Sequence, residues 1–174
     1  MKTDNVLATR PHKVIYRDGD KVWKVFDANY PKTDVLNEAL NQARVEETGL
    51  PIPRVHGVTV NEEGKWAIIS DYIEGETLAE KMAKDPENVE KYMKQFVEIQ
   101  LEIHDKTAPL LNKMKDKMSV RINSLKAVNA TTRYELSTRL ESMPKHKKVL
   151  HGDYNPTNVV IDKDGKYYIL DWSH

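Results

Sequence analysis

Three oxygen-bearing side chains near the end of the sequence are spaced for joint chemistry: Asp153, Asn158 and Asp171. Asp153 and Asn158 lie in His151-Gly152-Asp153-Tyr154-Asn155-Pro156-Thr157-Asn158, and Asp171 opens the pair Asp171-Trp172. Val159-Val160-Ile161 and Tyr167-Tyr168-Ile169-Leu170 flank Asp164-Gly165, a two-residue turn signal. The midpoint of 158 and 171 falls between those turn residues, so a tight hairpin sets Asn158 opposite Asp171, with Cα atoms about 4.5–5.5 Å apart. A longer loop would offset them by a residue or two. An amide oxygen beside a carboxylate is a hard-oxygen pair, suited to Mg²⁺ bound together with phosphates. Asp153 precedes Asn158 in a stretch with no helical or strand period. A carboxylate there can accept a proton from an attacking hydroxyl, or orient it, without ligating the metal.

The order H-x-D-x-x-x-x-N, hairpin, Asp matches the catalytic arrangement of protein kinases. Gly152 stands where protein kinases have arginine, and Asp-Trp replaces Asp-Phe-Gly. In these details the segment resembles the aminoglycoside phosphotransferase and choline kinase-like family. The resemblance implies an α+β, protein kinase-like bilobal fold, with an N-lobe over 1–73 and a partial C-lobe over 74–174. It implies ATP and Mg²⁺ as cofactors and a small-molecule hydroxyl as acceptor. It also implies Asp153 as catalytic base, with Asn158 and Asp171 as metal ligands. Without an arginine at Gly152, an activation-loop phosphate has no receptor, which favours a small-molecule kinase over a protein kinase.

The upstream half carries the same resemblance. In Val22-Trp23-Lys24-Val25-Phe26, strand alternation puts Lys24 on the face of Val22 and Phe26. The family likeness implies that Lys24 holds the nucleotide phosphates, that Glu38 holds Lys24, and that Val22 covers the adenine. Ile68 to Leu78 resembles the family's hinge, implying that backbone groups of Asp71 and Ile73 meet the adenine edge. Two departures stand out. The stretch Ala8-Thr9-Arg10-Pro11-His12-Lys13, where a phosphate-covering loop belongs, has no glycine, so Lys13 or Arg10 would have to supply charge instead. And the family continues well past Asp171-Trp172-Ser173-His174, so the expectation is either a fragment of a longer protein or a minimal member that binds nucleotide better than it transfers phosphate.

The elements that must position these residues change character near residue 74. Before it come short strands: Val6–Thr9, Val14–Tyr16, Lys21–Phe26, Val55–Val60 and Lys65–Tyr72. One helix interrupts them, Thr33–Thr48, capped by Thr33 or Asp34, with a stripe of Val35, Leu36, Ala39, Leu40 and Ala43. Gly49 sits where a left-handed C-terminal residue belongs. After residue 74 helices dominate. The first is Thr77–Lys84. The next is capped by Asp85 and runs to about His104 along Val89, Tyr92, Met93, Phe96, Val97 and Leu101. Asn112–Val128 and Thr131–Ser142 follow as weaker helical patterns, with Met114, Met118 and Leu125 on the first and Tyr134 and Leu140 on the second; the methionines read as core filler rather than a metal or cofactor box. The charge-rich Asn112–Lys117 reads as a solvated face, and Trp23 and Trp66 as core. Strands return at Lys148–Leu150, Val159–Ile161 and Lys166–Leu170.

Composition narrows the function classes. The 174 residues carry 27 Lys and Arg against 27 Asp and Glu, so no bulk positive field supports nucleic-acid binding. With no cysteine, a thiolate nucleophile, a disulfide framework and a Cys-ligated zinc are excluded. The N-terminus lacks the apolar run of a signal peptide, and no stretch reaches the ~18 apolar residues of a membrane span. A cytoplasmic protein is the default expectation. Two other functions compete with the kinase. One is a nucleotide-binding pseudo-enzyme, suggested by the glycine-free loop. The other is a metal-dependent hydrolase using His151, Asp153, Asp171 and His174. Taken singly, Asp153, Asn158 and Asp171 could be turn caps, and Lys24–Glu38 a weak surface pair. His151 reads as a structural residue within its loop.

Overall fold

The computed structural model describes residues 5–172. Five strands form an antiparallel sheet in the order β1-β2-β3-β5-β4: β1 (Val6–Arg10), β2 (Lys13–Asp18), β3 (Lys21–Phe26), β4 (Val55–Val60) and β5 (Trp66–Asp71). The β1–β2 connection is only Pro11-His12, because Arg10 pairs with Lys13. Proline followed by His12 at φ 67° has the form of a type II turn. In the β2–β3 ladder Lys13 pairs with Phe26, Ile15 with Lys24 and Arg17 with Val22, so these six share one face of the sheet.

Helix α1 (Lys32–Glu46) packs Val35 and Ala39 onto this face, against Phe26 and Ile68. Phe26 is fully buried, worth about 1.5–3 kcal/mol relative to exposure. Two expectations for α1 fail. Its N-cap is Pro31 with no side-chain cap, since the helix begins ahead of Thr33. Leu36 and Leu40 are exposed, while Glu38, Asn41 and Gln42 are buried. The helix is turned this way because most of its polar row has partners, Asn41 Oδ1 being the exception among the described residues. Glu38 meets Lys24 (2.5 Å), Gln42 Nε2 donates to the Pro53 carbonyl (2.7 Å), and Glu46 Oε1 accepts from the Val55 amide (2.6 Å). Gly49 ends the exit at φ 79°, a conformation glycine takes at no steric cost.

The rest of the chain gives β6 (Glu76–Thr77), α2 (Leu78–Lys84), α3 (Val89–Asp105), α4 (Met114–Ser124), α5 (Ala130–Ser142), β7 (Val159–Ile161) and β8 (Tyr167–Ile169). Strands β6, β7 and β8 form a second antiparallel sheet in that order. Thr77 caps α2 through a reciprocal box with Glu80. Asp85 does not cap a backbone amide; it accepts from Asn88 Nδ2 and the Tyr92 hydroxyl, across a 3₁₀ turn at Pro86–Asn88. On α3 the buried face is Ile99 and Ile103, flanked by Tyr92 and Phe96, while Met93, Val97 and Leu101 are exposed. The second core joins Ile99, Ile103, Val149, Val159, Ile169 and Trp172 to Val45, Leu50 and Ile52 from α1 and its exit. Packing therefore crosses the change of character near residue 74.

Helices α4 and α5 correct the reading of the methionines. No α4 residue is fully buried, Met118, Leu125 and Tyr134 are exposed, and only Leu140 of α5 is core. The pair is held by cations on carbonyls instead. Lys115 Nζ donates to the carbonyls of Glu141 and Met143, and Arg133 to those of Leu125 and Val128. Such contacts need no apolar interlock, so the stripe is free to face outward. Trp23 and Trp66 are half-buried rather than core: Trp23 is on the face of central strand β3 opposite Lys24 and α1, and Trp66, at the start of β5, packs on the margin of the first core. Lys148–Leu150 forms only an isolated bridge from Lys148 to Thr107. No helix among the described residues is long and apolar enough to cross a membrane.

Candidate active site

Lys24 lies at the centre of the charged cluster. Its ammonium is 2.5 Å from Glu38 Oε1 and 3.5 Å from Asp171 Oδ1. Lys13 reaches the same Glu38 oxygen at 3.7 Å, across the ring of Phe26. Burial draws the Lys24 pKa down, but Glu38 and then Asp171 more than reverse this, so it stands above the ordinary lysine value. Lys13 moves the other way: burial and the neighbouring Lys24 hold it below the usual value. Of the two cations flanking the glycine-free turn, Lys13 is the one whose ammonium reaches the Glu38 carboxylate. Val22 precedes Lys24 by one strand repeat on the same face, with Ser70 and Ile68 opposite them on β5.

Two supports bring Asp171 to this cluster. The Ile169 amide donates to the Pro51 carbonyl (2.9 Å), which pins β8 to the exit of α1. Trp172 is buried in the second core and its indole donates to the Ile169 carbonyl (3.0 Å). Between these anchors Asp171 takes φ 62°, a left-handed conformation that is strained for a residue other than glycine. Helix α1 therefore helps to place Asp171 twice: it holds Lys24 through Glu38, and its exit loop holds β8.

The hairpin register departs from the two-residue turn. Val159 pairs with Ile169 and Ile161 with Tyr167, and the Leu170 amide donates to the Asn158 carbonyl (2.8 Å). Asn158 is therefore opposite Leu170, one residue short of Asp171. The cause is a three-residue loop, Lys163-Asp164-Gly165, closed by Asp162. The Asp162 carboxylate accepts from the amides of Asp164 and Lys166, and Gly165 lies at φ 79°.

The segment around Asp153 is held from both sides. His151 is buried; its Nε2 bonds the Leu170 carbonyl (2.7 Å) and its Nδ1 accepts from the Asp153 amide (3.2 Å). That pattern places the ring proton on Nε2 and commits both nitrogens to backbone. It leaves little for the metal-dependent hydrolase reading, whose second histidine, His174, lies outside the described residues. Asn158 Nδ2 donates to the Asp153 carbonyl (2.9 Å), so its carboxamide oxygen is the polar atom that remains. Tyr154 stacks on Phe96 at 4.3 Å and donates its hydroxyl to the Phe96 carbonyl (2.7 Å), while burial raises its pKa. Tyr167 likewise donates to Glu102. The sequence reading missed Tyr154 and Phe96 as positioning residues. The signal was an aromatic directly after Asp153 and another on α3. Asp153 itself is exposed; among the described residues its carboxylate accepts a hydrogen bond from Asn155 Nδ2 (3.3 Å).

The hinge residues are placed unevenly. The Asp71 amide is spent on the Arg54 carbonyl (3.1 Å), leaving only its carbonyl for a base edge. Its carboxylate ties strands together, accepting from the Arg54 amide (2.9 Å) and His56 Nε2 (2.6 Å). Burial alone would raise the Asp71 pKa, but the bonds from His56 and Arg54 lower it to about 2. Asp71 and Ile73 also line a cavity of about 560 Å³ with Leu50, Pro51 and Tyr168. Neither Val22 nor Lys24 lines it, so this cavity is separate from the Lys24 cluster.

Together these features define a protein kinase-like fold: sheet and helix above, a helical half below, and a lysine, glutamate and aspartate gathered between them. The Phosphotransferase enzyme family matches residues 10–174, and the chain belongs to that family. Among solved structures, an apo thermostable mutant of aminoglycoside phosphotransferase APH(4)-Ia is 17% identical with a TM-score of 0.66, covering 97% of this chain and 66% of its own. The same enzyme in ternary complex with AMP-PNP and hygromycin B is 18% identical with a TM-score of 0.62, covering 97% and 65%. A choline/ethanolamine kinase family protein from Mesorhizobium loti is 18% identical with a TM-score of 0.56, covering 97% and 57%. The chain thus spans 57 to 66% of the length of these structures. No match was found among curated proteins.

Proposed function

We propose that this chain is the nucleotide-binding and catalytic portion of an ATP- and Mg²⁺-dependent phosphotransferase acting on a small-molecule hydroxyl. The observation that carries the reading is the meeting of Lys24, Glu38 and Asp171 across residues far apart in sequence. Such a convergence has no purpose in a set of turn caps. The donor set suits magnesium: the Asp171 carboxylate and the Asn158 carboxamide oxygen are hard oxygens. A bound magnesium nucleotide would supply charge neutralisation across its phosphates. Lys24 would meet the α and β phosphates, and Lys13 would add a second cation where glycines are missing. Val22 would cover the adenine, with the Asp71 carbonyl and Ile73 at its edge. Asp153 would accept or orient the acceptor proton. The lobes would divide near 73/74, with the nucleotide between them.

Family membership and the AMP-PNP complex of a structural neighbour support this reading. The test is Asp153→Ala. It should abolish phosphoryl transfer in a panel of hydroxylated metabolites while nucleotide binding survives. Full turnover by that variant would remove Asp153 from the chemistry. One observation favours a binding module without turnover: the β1–β2 turn contains proline, which has no amide to offer phosphate. Nucleotide binding without ATP consumption across the panel would select that reading.

A further inference from the structure

Charge in this neutral chain is unevenly distributed. Residues 112–148, which hold α4 and α5, contain ten Lys and Arg against three Asp and Glu. Among the described residues, only Lys148 of those ten meets a carboxylate, Asp105 at 3.7 Å. Lys115 and Arg133 are used on backbone carbonyls. Seven of the ten have no carboxylate or carbonyl partner among the described residues, and of these Lys117 and Arg121 are singled out by position. They stand four apart on α4, where like charges repel. Burial, and then Arg121, hold the Lys117 ammonium below the usual lysine range. A cationic pair that its own chain does not neutralise breaks a local rule, and such breaks gather at functional sites.

Its position joins it to the candidate active site. Met114 precedes Lys117 by three residues and Arg121 by seven, so the three share one face of α4. At 1.5 Å per residue, the two cations lie about 4.5 and 10.5 Å along the helix from Met114. Met114 lines a cavity of about 380 Å³ with Ile103, Leu150, Gly152 and Tyr154. Gly152 and Tyr154 are the two neighbours of Asp153 in sequence. Gln100, His104 and His151 complete the lining, so a molecule seated there meets apolar and polar walls next to the loop that carries Asp153, and the two cations lie further along α4, outside the lining itself.

We propose that the acceptor is a hydroxyl compound bearing an anionic group, phosphate or carboxylate, which Lys117 and Arg121 hold. This rests on the phosphotransferase reading and narrows its substrate class. A polycationic aminoglycoside would meet repulsion on this wall. Lys117 and Arg121 are binding residues in this account and take no part in bond making.

The test is calorimetric titration of the intact chain at low salt with MgADP saturating, so that anions cannot occupy the nucleotide site. The probes are glucose, glucose 6-phosphate, glucuronate and kanamycin. The expected result is tighter binding of the two anions than of glucose, with kanamycin weakest. In Lys117→Gln/Arg121→Gln, anion affinity should fall about tenfold or more, as for loss of charge-assisted bonds. Lys117→Arg/Arg121→Lys should retain it, and added salt should weaken it. Equal affinity for glucose and glucose 6-phosphate, unchanged anion affinity in the glutamine variant, or kanamycin binding tighter than the anions would each overturn the inference. Titration with MgADP alone separates the two readings. If MgADP binds normally and the anion preference is missing, only the acceptor inference fails. If MgADP does not bind, the phosphotransferase reading fails, and the same comparison without nucleotide still decides whether α4 selects anions.

Discussion

Glu38→Gln tests the charged cluster by removing one charge and almost no volume. Both side chains of the Lys24–Glu38 pair are nearly buried, 15% and 6% exposed, so solvent screens them little. Removing one partner of a buried pair costs about 3–5 kcal/mol. Here the low end applies, because Asp171 stays 3.5 Å from Lys24. Some cost returns, because Lys13 loses its carboxylate and keeps Lys24 as a like-charged neighbour. A loss of about 3 kcal/mol corresponds to a melting temperature lower by about 6–12 °C in a domain of this size. The sign with pH follows from Lys24. Its pKa is raised above 10.5, so its contribution is complete below that value and is lost as pH rises through the folded one. The gap between wild type and variant should therefore be constant from about pH 6 to 9. Replacing both members, Lys24→Met with Glu38→Leu, should recover part of that loss, since an apolar pair leaves neither of the two charges stranded, although Lys13 and Asp171 each lose a partner. That double variant should nevertheless lose nucleotide-induced stabilisation. The assay is thermal melting of the three proteins with and without MgADP. A fall of less than about 2 °C in Glu38→Gln, or a double variant that still responds to MgADP, would refute the reasoning.

Two further outcomes follow from the scaffold. Asp71 has its pKa depressed from 3.8 to about 2, so its contribution is present above the unfolded value and is lost as pH falls from about 4 to about 2. Arg54 is largely exposed, so solvent screening leaves about 1 kcal/mol, and acid unfolding of Asp71→Asn should lack that slope. Gly75→Ala would bring a Cβ to 2.3 Å from the Ile161 carbonyl oxygen, so it should cost about 1–3 kcal/mol in urea melts and loosen the β6–β7 pairing.

Much of this fold was legible because its signals are local. Lys21–Phe26 and Val55–Val60 carry β-branched runs bounded by turn residues, and both strands have those limits. The three residues proposed for the chemistry, Asp153, Asn158 and Asp171, were picked out as a spacing, independent of any distance. What failed depended on partners distant in sequence. The stripe on α1 was misjudged because hydrophobicity ranks Leu36 above Glu38, whereas Lys24, Pro53 and Val55 reward the polar row. The Asn158–Asp171 register slipped because Asp162 was not recognised as the residue that closes the turn. Asn61 closes the β4–β5 turn in the same way, accepting from the amides of Glu63 and Lys65, so the signal was present twice. On α4 the methionines read as core, but cation-to-carbonyl bonds link α4 and α5 and Met118 lies outside.

The claim on which the rest depends is that Lys24, Asn158 and Asp171 hold a magnesium nucleotide. The most direct measurement is calorimetric titration of ATP into the wild-type chain and into Asp171→Ala, each with Mg²⁺ and with EDTA. The account predicts binding by the wild type that is strongly enhanced by Mg²⁺, and loss of that enhancement in Asp171→Ala. Wild-type binding that is indifferent to Mg²⁺, or an Mg²⁺ response preserved in Asp171→Ala, would contradict it.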